Sequence, residues 1–315
     1  MNVLLLGANG QLGHNFVTQR SLAQLGTLIC ASRNGQRFDG VAIEIADLAQ
    51  PETLTSLLDR IKPHVIVNAA AYTAVDRAES EEDLAYCVNG EAVGRLGEWA
   101  HKHEALVVHY STDYVFDGNA KQPYAVNAAT APLGAYGRSK LAGELALKAS
   151  GAHHFIFRTA WVYAASGQNF LRTMLRLGAE RDTLSVVADQ LGTPTPASVI
   201  VDGTIVALQH WLAATPFERT LMEGTYHLVT RGETSWYGFA SAIFELAQVH
   251  GVLNRRPLVE AITTAEFPMP ARRPAYSVLD PSCLQERFAI TLPHWRDGLM
   301  TVMHELAFKD SETPC

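Results

Sequence analysis

No stretch of this chain reaches the roughly 18 consecutive apolar residues that a membrane-spanning helix needs, so no membrane partner is expected. A dense basic stripe is missing too, and the net charge is −7 at pH 7, which argues against a nucleic-acid partner. Only four cysteines occur, Cys30, Cys87, Cys283 and Cys315. They are far apart and form no Cys-x-x-Cys pair, so neither a disulfide framework nor a zinc site is expected, and they read as thiols in a reducing compartment. Twelve histidines are present, including His101/His103 and His153/His154. None stands in a His-Glu-x-x-His arrangement, and no metal site follows from them. The N-terminal apolar run has no basic segment before it and no small-residue cleavage site after it, so a cytoplasmic location is expected. Internal repeats and low-complexity tracts are lacking.

What is there is a chain of 315 residues, 48% hydrophobic and 18% charged, enough for a large core in one or two domains. It opens on Asn2–Leu6, short and apolar, as expected of a central parallel strand covered on both faces. Gly7-Ala-Asn-Gly10-Gln-Leu-Gly13 follows, then a helical stretch to about Leu25. Glycines let a backbone turn tightly and approach a pyrophosphate, which then rests on the free N–H groups of a helix N-terminus. The alternative is a plain strand-to-helix turn with glycines at its cap; the strand before and the helix after favour the cofactor loop. Gly7, Asn9, Gly10, Gln11, Leu12 and Gly13 are therefore candidate cofactor residues.

A second strand, Thr27–Ala31, ends in Ser32-Arg33. A NAD-selective fold places a carboxylate there for the ribose 2′-hydroxyl, whereas an arginine could pair a 2′-phosphate. NADP(H) is the expected cofactor and NAD(H) the alternative, in which Arg33 merely faces solvent. Val41–Ile45 is a third strand, with Asp47 and Leu48 after it where an adenine would lie. His64–Asn68 leads into Ala69, Ala70 and Ala71, whose small side chains would let a cofactor lie against the backbone at the ligand edge of an open α/β sheet. A long helix from about Ser80 to Lys102 returns to a fifth strand, Ala105–Tyr110, which delivers Ser111, Thr112, Asp113 and Tyr114.

Next comes Tyr136-Gly-Arg-Ser-Lys140, opening a run with apolar residues three to four apart. On that helix Tyr136 and Lys140 share a face. An ammonium beside a phenol is expected to lower the phenol's pKa from about 10 and to make it a proton carrier for a carbonyl or alcohol. Alone, such a pair is far more often a solvated helix face; the hydroxyls and carboxylate upstream favour the catalytic reading.

Phe155–Arg158 is a sixth strand. Past about Gly167 the strand–helix alternation loosens into a helix over Asn169–Leu177, a strand over Leu184–Val187 and a core helix over Val199–Leu212. Then follow Tyr226–Val229, Trp236–Val249 and Val259–Thr263 as strand, helix and strand, and a last helix over His294–Phe308. Phe267–Pro274 is a proline-stiffened loop carrying Arg272 and Arg273. The fold class is α/β, a doubly wound parallel Rossmann sheet with a smaller C-terminal α/β substrate domain. Residues 1–165, with parts of 197–230 returning, form the dinucleotide domain, and 166–315 mainly the substrate domain.

These segments resemble the extended short-chain dehydrogenase/reductase superfamily and, within it, the dTDP-4-dehydrorhamnose reductase family. The resemblance rests on Gly7–Gly13, Asn68–Asp76, His109–Phe116, Tyr136–Glu144, Arg158–Tyr163, Asp189–Pro194 and Pro270–Pro274. It implies reduction of the C4 ketone of dTDP-4-dehydro-β-L-rhamnose by hydride from NAD(P)H. Tyr136 would be the general acid, Lys140 would tune it and hold the nicotinamide ribose, and Thr112 would bond the C4 oxygen. Tyr72 would join the cofactor residues. Asp113, Tyr114 and Trp161 would line the sugar pocket, with Arg272 and Arg273 at the diphosphate. Some relatives dimerise through Mg²⁺ held by glutamates; Asn15 and Ser198 stand at those places, although Glu305 remains. No metal-bridged dimer is expected, which leaves a monomer or homodimer. Two other readings stay open: an NADP-binding regulatory subunit, against which intact Thr112, Tyr136 and Lys140 argue, and a reductase or epimerase of another nucleotide sugar.

Overall fold

The computed structural model describes residues 1–36 and 40–311. Its centre is a seven-stranded sheet, parallel throughout. Six strands come from the first half: β1 (Asn2–Leu6), β2 (Thr27–Ser32), β3 (Ile43–Ile45), β4 (Val65–Asn68), β5 (Leu106–Thr112) and β6 (His153–Thr159). Gly224–His227 completes the sheet beside β6, so the order is Gly224–His227, β6, β5, β4, β1, β2, β3. This is a Rossmann arrangement, and the order reverses between β1 and β4. At that point the loops after two neighbouring strands leave in opposite directions and open a crevice for a ligand.

Both faces of the sheet are covered, which explains its unbroken apolar strands. Side chains of a strand alternate between faces. Thus Val3 and Leu5 of β1 join Phe16 of helix α1 (Gln11–Gln19), Ile200, Leu208 and Phe288 on one side. Leu4 and Leu6 join Leu54, Leu57, Leu58, Val93 and Leu96 on the other. Leu54, Leu57 and Leu58 belong to helix α2 (Pro51–Ile61), a helix the sequence reading passed over although its apolar spacing is helical. Proline at its first position costs no hydrogen bond there.

The long helix expected over 80–102 is broken. Glu82–Tyr86 and Ala92–Lys102 are α-helical, but Cys87–Glu91 between them is a π-helical turn. Nothing in the periodicity marks it; its cause is tertiary. Buried Asn89 accepts from Tyr72 N (2.9 Å) and donates to Tyr72 O and Ser139 Oγ (both 3.0 Å). The bulge aims this amide at both neighbours.

The second half crosses back and forth. The Ala197–Ala213 helix packs into the core below α1, and Leu284, Phe288 and Leu292 close that same core. A separate cluster gathers Leu171, Met174 and Leu175 of the Phe170–Glu180 helix, Phe239, Ile243 and Phe244 of the Trp236–Val249 helix, and Leu299, Val302 and Met303 of the Trp295–Ser311 helix. The parallel pair of Thr183–Val187 with Leu258–Ile262 is part of this region.

Candidate active site

The glycine loop after β1 lies against the loop after β4. A Cβ on Gly7 would come within 2.6 Å of Ala70 N, and one on Gly13 within 2.1 Å of Gly7 O. Gly7 also has φ +78°, a conformation that costs other residues dearly. Gly7 N and Ala8 N are tied to Ala31 O (2.9 and 3.1 Å), while Gly10 N returns to Gly7 O (2.9 Å). Helix α1 therefore begins at Gln11 with its N-terminus at the crevice and its Gly10 cap free of any side chain. That arrangement suits a phosphate-bearing group.

Around it stand the other expected cofactor residues. Asn9 Nδ2 donates to Ser32 Oγ (3.2 Å) and to Gln36 O (3.2 Å), pinning the loop to the end of β2. Ser32 is buried, and Arg33 projects into solvent. Leu48 is buried behind Asp47, whose carboxylate caps Ala49 N (3.0 Å). Ala69, Ala70, Ala71 and Tyr72 are half-exposed along the crevice. Gln11 and Leu12 begin α1, and Leu12 turns toward the core.

The chemistry-bearing residues meet at the C-terminal ends of β4, β5 and β6. Strand β5 runs two residues further than expected, through Thr112. Thr112 Oγ1 donates to Asp113 Oδ1 (3.0 Å) and accepts from Tyr114 N (3.2 Å). The Ala135–Ala149 helix starts at Gly134, which has no capping side chain; Glu79 Oε1 fills the role by accepting Ala135 N (2.8 Å). The first turn thereby carries Tyr136 into the site, edge-on to Tyr114 with ring centroids 5.8 Å apart.

The electrostatics correct one expectation. Lys140 does not depress the Tyr136 phenol. Burial first, and then the Asp113 carboxylate, push that phenol up to about 12, with Thr112 opposing. Lys140 Nζ turns to His109 Nε2 instead (3.3 Å), and burial lowers its pKa to about 8 against the favourable field of Glu144. Helical neighbours share a face, but burial outweighs their mutual charge here. Burial also raises Asp113 to about 6, with Ser277 and Thr112 opposing. Ser277 Oγ donates to Leu191 O (3.4 Å), and Asp113 Oδ2 is buried without a hydrogen-bond partner.

Trp161 is held rigidly. Its ring stacks on Trp236 at 3.5 Å and 4°, and it also lies against Gly192, where a Cβ would meet Cε2 at 2.3 Å. Its φ of +47° is a strained conformation costing about 1–3 kcal/mol. A stacked aromatic pair returns about 0.5–1.5 kcal/mol beyond the burial itself. The two arginines of the proline-rich loop separate: Arg272 is exposed, whereas Arg273 Nη2 donates to Asp76 Oδ2 (2.9 Å) and lowers the pKa of Tyr114 against the burial that raises it. Asp76 Oδ1 also accepts Ala271 N (3.2 Å). Asp76, His109 and Asn89 are positioning groups that the sequence reading did not single out. Asp76 and His109 lie in quoted motifs and Asn89 within the helix expected over 80–102, and only the fold shows what they face.

Asn15 Nδ2 is engaged by Gln11 O of its own helix (2.9 Å). Ser198 lines a cleft of about 460 Å³ with Asp202 and Thr301, away from Tyr136. Among the described residues no group of three or more His, Cys, Asp or Glu side chains could hold a metal ion, and no helix is long and apolar enough to cross a membrane.

Residues 1–308 match the family model described as the RmlD substrate binding domain. A dTDP-4-dehydrorhamnose reductase of Burkholderia thailandensis is 48% identical over 97% of this chain and 99% of that protein. One from Escherichia coli K12 is 43% identical over 97% and 98%. Among solved structures, a dTDP-4-dehydrorhamnose reductase of Clostridium acetobutylicum has a TM-score of 0.85 at 34% identity, covering 97% of this chain and 99% of the other. The Bacillus anthracis dTDP-4-dehydrorhamnose reductase, solved in complex with NADP, has a TM-score of 0.82 at 34% identity, covering 96% and 99%.

Proposed function

The chain belongs to the dTDP-4-dehydrorhamnose reductase family, and from that premise we propose that it reduces the C4 ketone of dTDP-4-dehydro-β-L-rhamnose to dTDP-L-rhamnose with NADPH. The observation that carries this reading is the meeting of Thr112, Asp113, Tyr114 and Tyr136 at the strand ends beside the Gly7–Gly13 loop. Near-complete coverage of relatives named for this activity supports it.

When bound, the nicotinamide supplies hydride to the sugar carbon. The rest is the work of this chain. Gly7, Asn9, Gly10, Gln11, Leu12 and Gly13 hold the pyrophosphate on the N-terminus of α1, in a turn so tight that a Cβ at Gly13 would collide with Gly7 O. Ser32 and Arg33 take the 2′-phosphate, Asp47 and Leu48 flank the adenine, and Ala69, Ala70, Ala71 and Tyr72 lie along the nicotinamide half. Lys140 holds the ribose. Tyr136 gives the developing alkoxide its proton. A phenol held protonated to about 12 is in the form a donor needs before reduction. Thr112 steadies the same oxygen by hydrogen bonding. Asp113, Tyr114 and Trp161 line the sugar pocket, and Arg272 and Arg273 meet the diphosphate. In this reading residues 1–165 and the returning part of 197–230 bind the dinucleotide, and 166–315 mainly the sugar nucleotide. The protein acts in the cytoplasm as a monomer or homodimer without Mg²⁺.

Mixing the protein with dTDP-4-dehydrorhamnose and NADPH and following nicotinamide absorbance tests the reading. Oxidation is expected. Oxidation only with a GDP- or UDP-linked keto sugar would overturn the substrate, and binding of NADPH without turnover of any keto sugar would overturn the activity.

A further inference from the structure

A buried line of hydrogen bonds ends on Lys140. Ala70 N donates to Asn68 Oδ1 (3.3 Å), Asn68 Nδ2 faces His109 Nδ1 (3.1 Å), and His109 Nε2 faces Lys140 Nζ (3.3 Å). Asn68, His109 and Lys140 are 1%, 0% and 2% exposed. Counting hydrogens along this line fixes its direction. A backbone N–H only donates, so the Asn68 oxygen must face Ala70 and its NH₂ group must face the ring. An amide NH₂ also only donates, so His109 Nδ1 accepts. Complete burial keeps His109 neutral, and a neutral imidazole has one hydrogen, here on Nε2. That hydrogen points at Lys140 Nζ, which can receive it only through a lone pair.

We propose that Asn68 and His109 are positioning residues that hold Lys140 as a proton-accepting amine in the ligand-free protein, with Ala70 N–H setting the direction of the chain. A hydrogen bond donated to the neutral form of a base disfavours its charged form.

The surrounding charges permit this. On its own helix Lys140 neighbours Tyr136 and Glu144. Both Glu144 oxygens are taken by Arg158 of β6 (2.9 and 2.7 Å), with Lys148 4.0 Å away. From β5 come His109 and, past the strand end, Asp113, whose field acts on Tyr136. The β4 side presents Asn68 and the π-helical turn Asn89, neither of them ionisable. Reversal needs three linked events. Asn68 turns its amide, His109 moves its hydrogen from Nε2 to Nδ1, and Lys140 gains one proton from solvent. Under the function proposed above, Ala70 lies in the cofactor loop, so engagement of that loop competes for the N–H that sets the direction.

The test is nuclear magnetic resonance on the full ligand-free chain. Labelled with ¹⁵N-histidine, and with the His109 signals assigned by loss in His109→Gln, the wild-type protein should show the Nε2–H tautomer at about pH 9, where Lys140, lowered to about 8, is an amine. The Nδ1–H tautomer, or an imidazolium, overturns the proposal, and this readout needs no variant to be stable. With ¹³Cε-labelled lysine and Lys140→Arg for assignment, Asn68→Leu should raise the Lys140 titration midpoint by about one pH unit, because the amide no longer dictates the tautomer. An unchanged or lowered midpoint in folded Asn68→Leu also overturns it. Neither measurement uses turnover. A protein that shows both signatures and reduces no keto sugar refutes the proposed function alone.

Discussion

Arg158 and Glu144 form a two-pronged ion pair inside the protein. Its bonds are 2.9 and 2.7 Å, and the side chains are 4% and 0% exposed. The pair joins β6 to the Tyr136 helix one turn beyond Lys140, and Arg158 Nη1 also donates to Val126 O (3.1 Å). Removing one partner leaves the other buried and uncompensated. Glu144→Gln should lower unfolding stability by about 3–5 kcal/mol, read in urea melts. The double substitution Glu144→Leu with Arg158→Leu should recover most of that loss. A single variant as stable as the wild type would show that the pair contributes little.

Tyr136→Phe removes only a hydroxyl at the edge of the Tyr114 ring. Turnover should fall by about 10²–10⁴-fold, the range for loss of a proton donor. NADPH affinity, measured by fluorescence titration, should stay within about threefold. Near-normal turnover would place the donor elsewhere.

Asp113 binds its proton more tightly in the folded state than in the unfolded chain, with its pKa raised from 3.8 to about 6 by burial. The stability it contributes is whole below about pH 4 and is lost as the pH rises through about 6. Asp113→Asn should therefore be more stable than the wild type at pH 8 by about 1–3 kcal/mol and equal to it near pH 3.5. Urea melts at the two pH values read the difference, and an equal gain at both would assign it to something other than ionisation.

Asp76 tethers the proline-rich loop through Ala271 N and Arg273. Asp76→Ala should raise KM for the sugar nucleotide about tenfold with little change in kcat, since it loosens a binding group and not the proton donor. A fall in kcat at constant KM would contradict that.

Arg33→Asp should shift the NADPH/NADH preference towards NADH by about tenfold or more, replacing a phosphate partner with a ribose one. An unchanged ratio of kcat/KM values would remove Arg33 from cofactor choice.

Local patterns in the sequence were reliable where a short segment carries its own cause. The Gly7–Gly13 loop, the apolar strands and the Trp236–Val249 helix follow from spacing alone, and that helix has the expected bounds. The π-helical turn at Cys87–Glu91 does not, because Asn89 is drawn into place by Tyr72 and Ser139 from distant segments. Arg272 and Arg273 look alike in the sequence, and it takes Asp76, nearly 200 positions earlier, to distinguish them. Tyr136 and Lys140 were visible as a pair, but not the direction of their pKa shifts. Those depend on how deeply each group is buried, on Asp113 at the end of β5 for Tyr136, and on Glu144 opposing burial at Lys140.

The last strand of the sheet, Gly224–His227, and the core residues Phe288 and Leu292 are made long after the first 165 residues leave the ribosome. Until they arrive, β6 has a bare edge, and the face bearing Val3 and Leu5 lacks part of its cover. The first half is thus not a module that can be excised or grafted. A chimera joined near residue 165 would have to take this returning strand and the 282–292 segment from the same parent, or leave a sticky sheet edge for a chaperone to find.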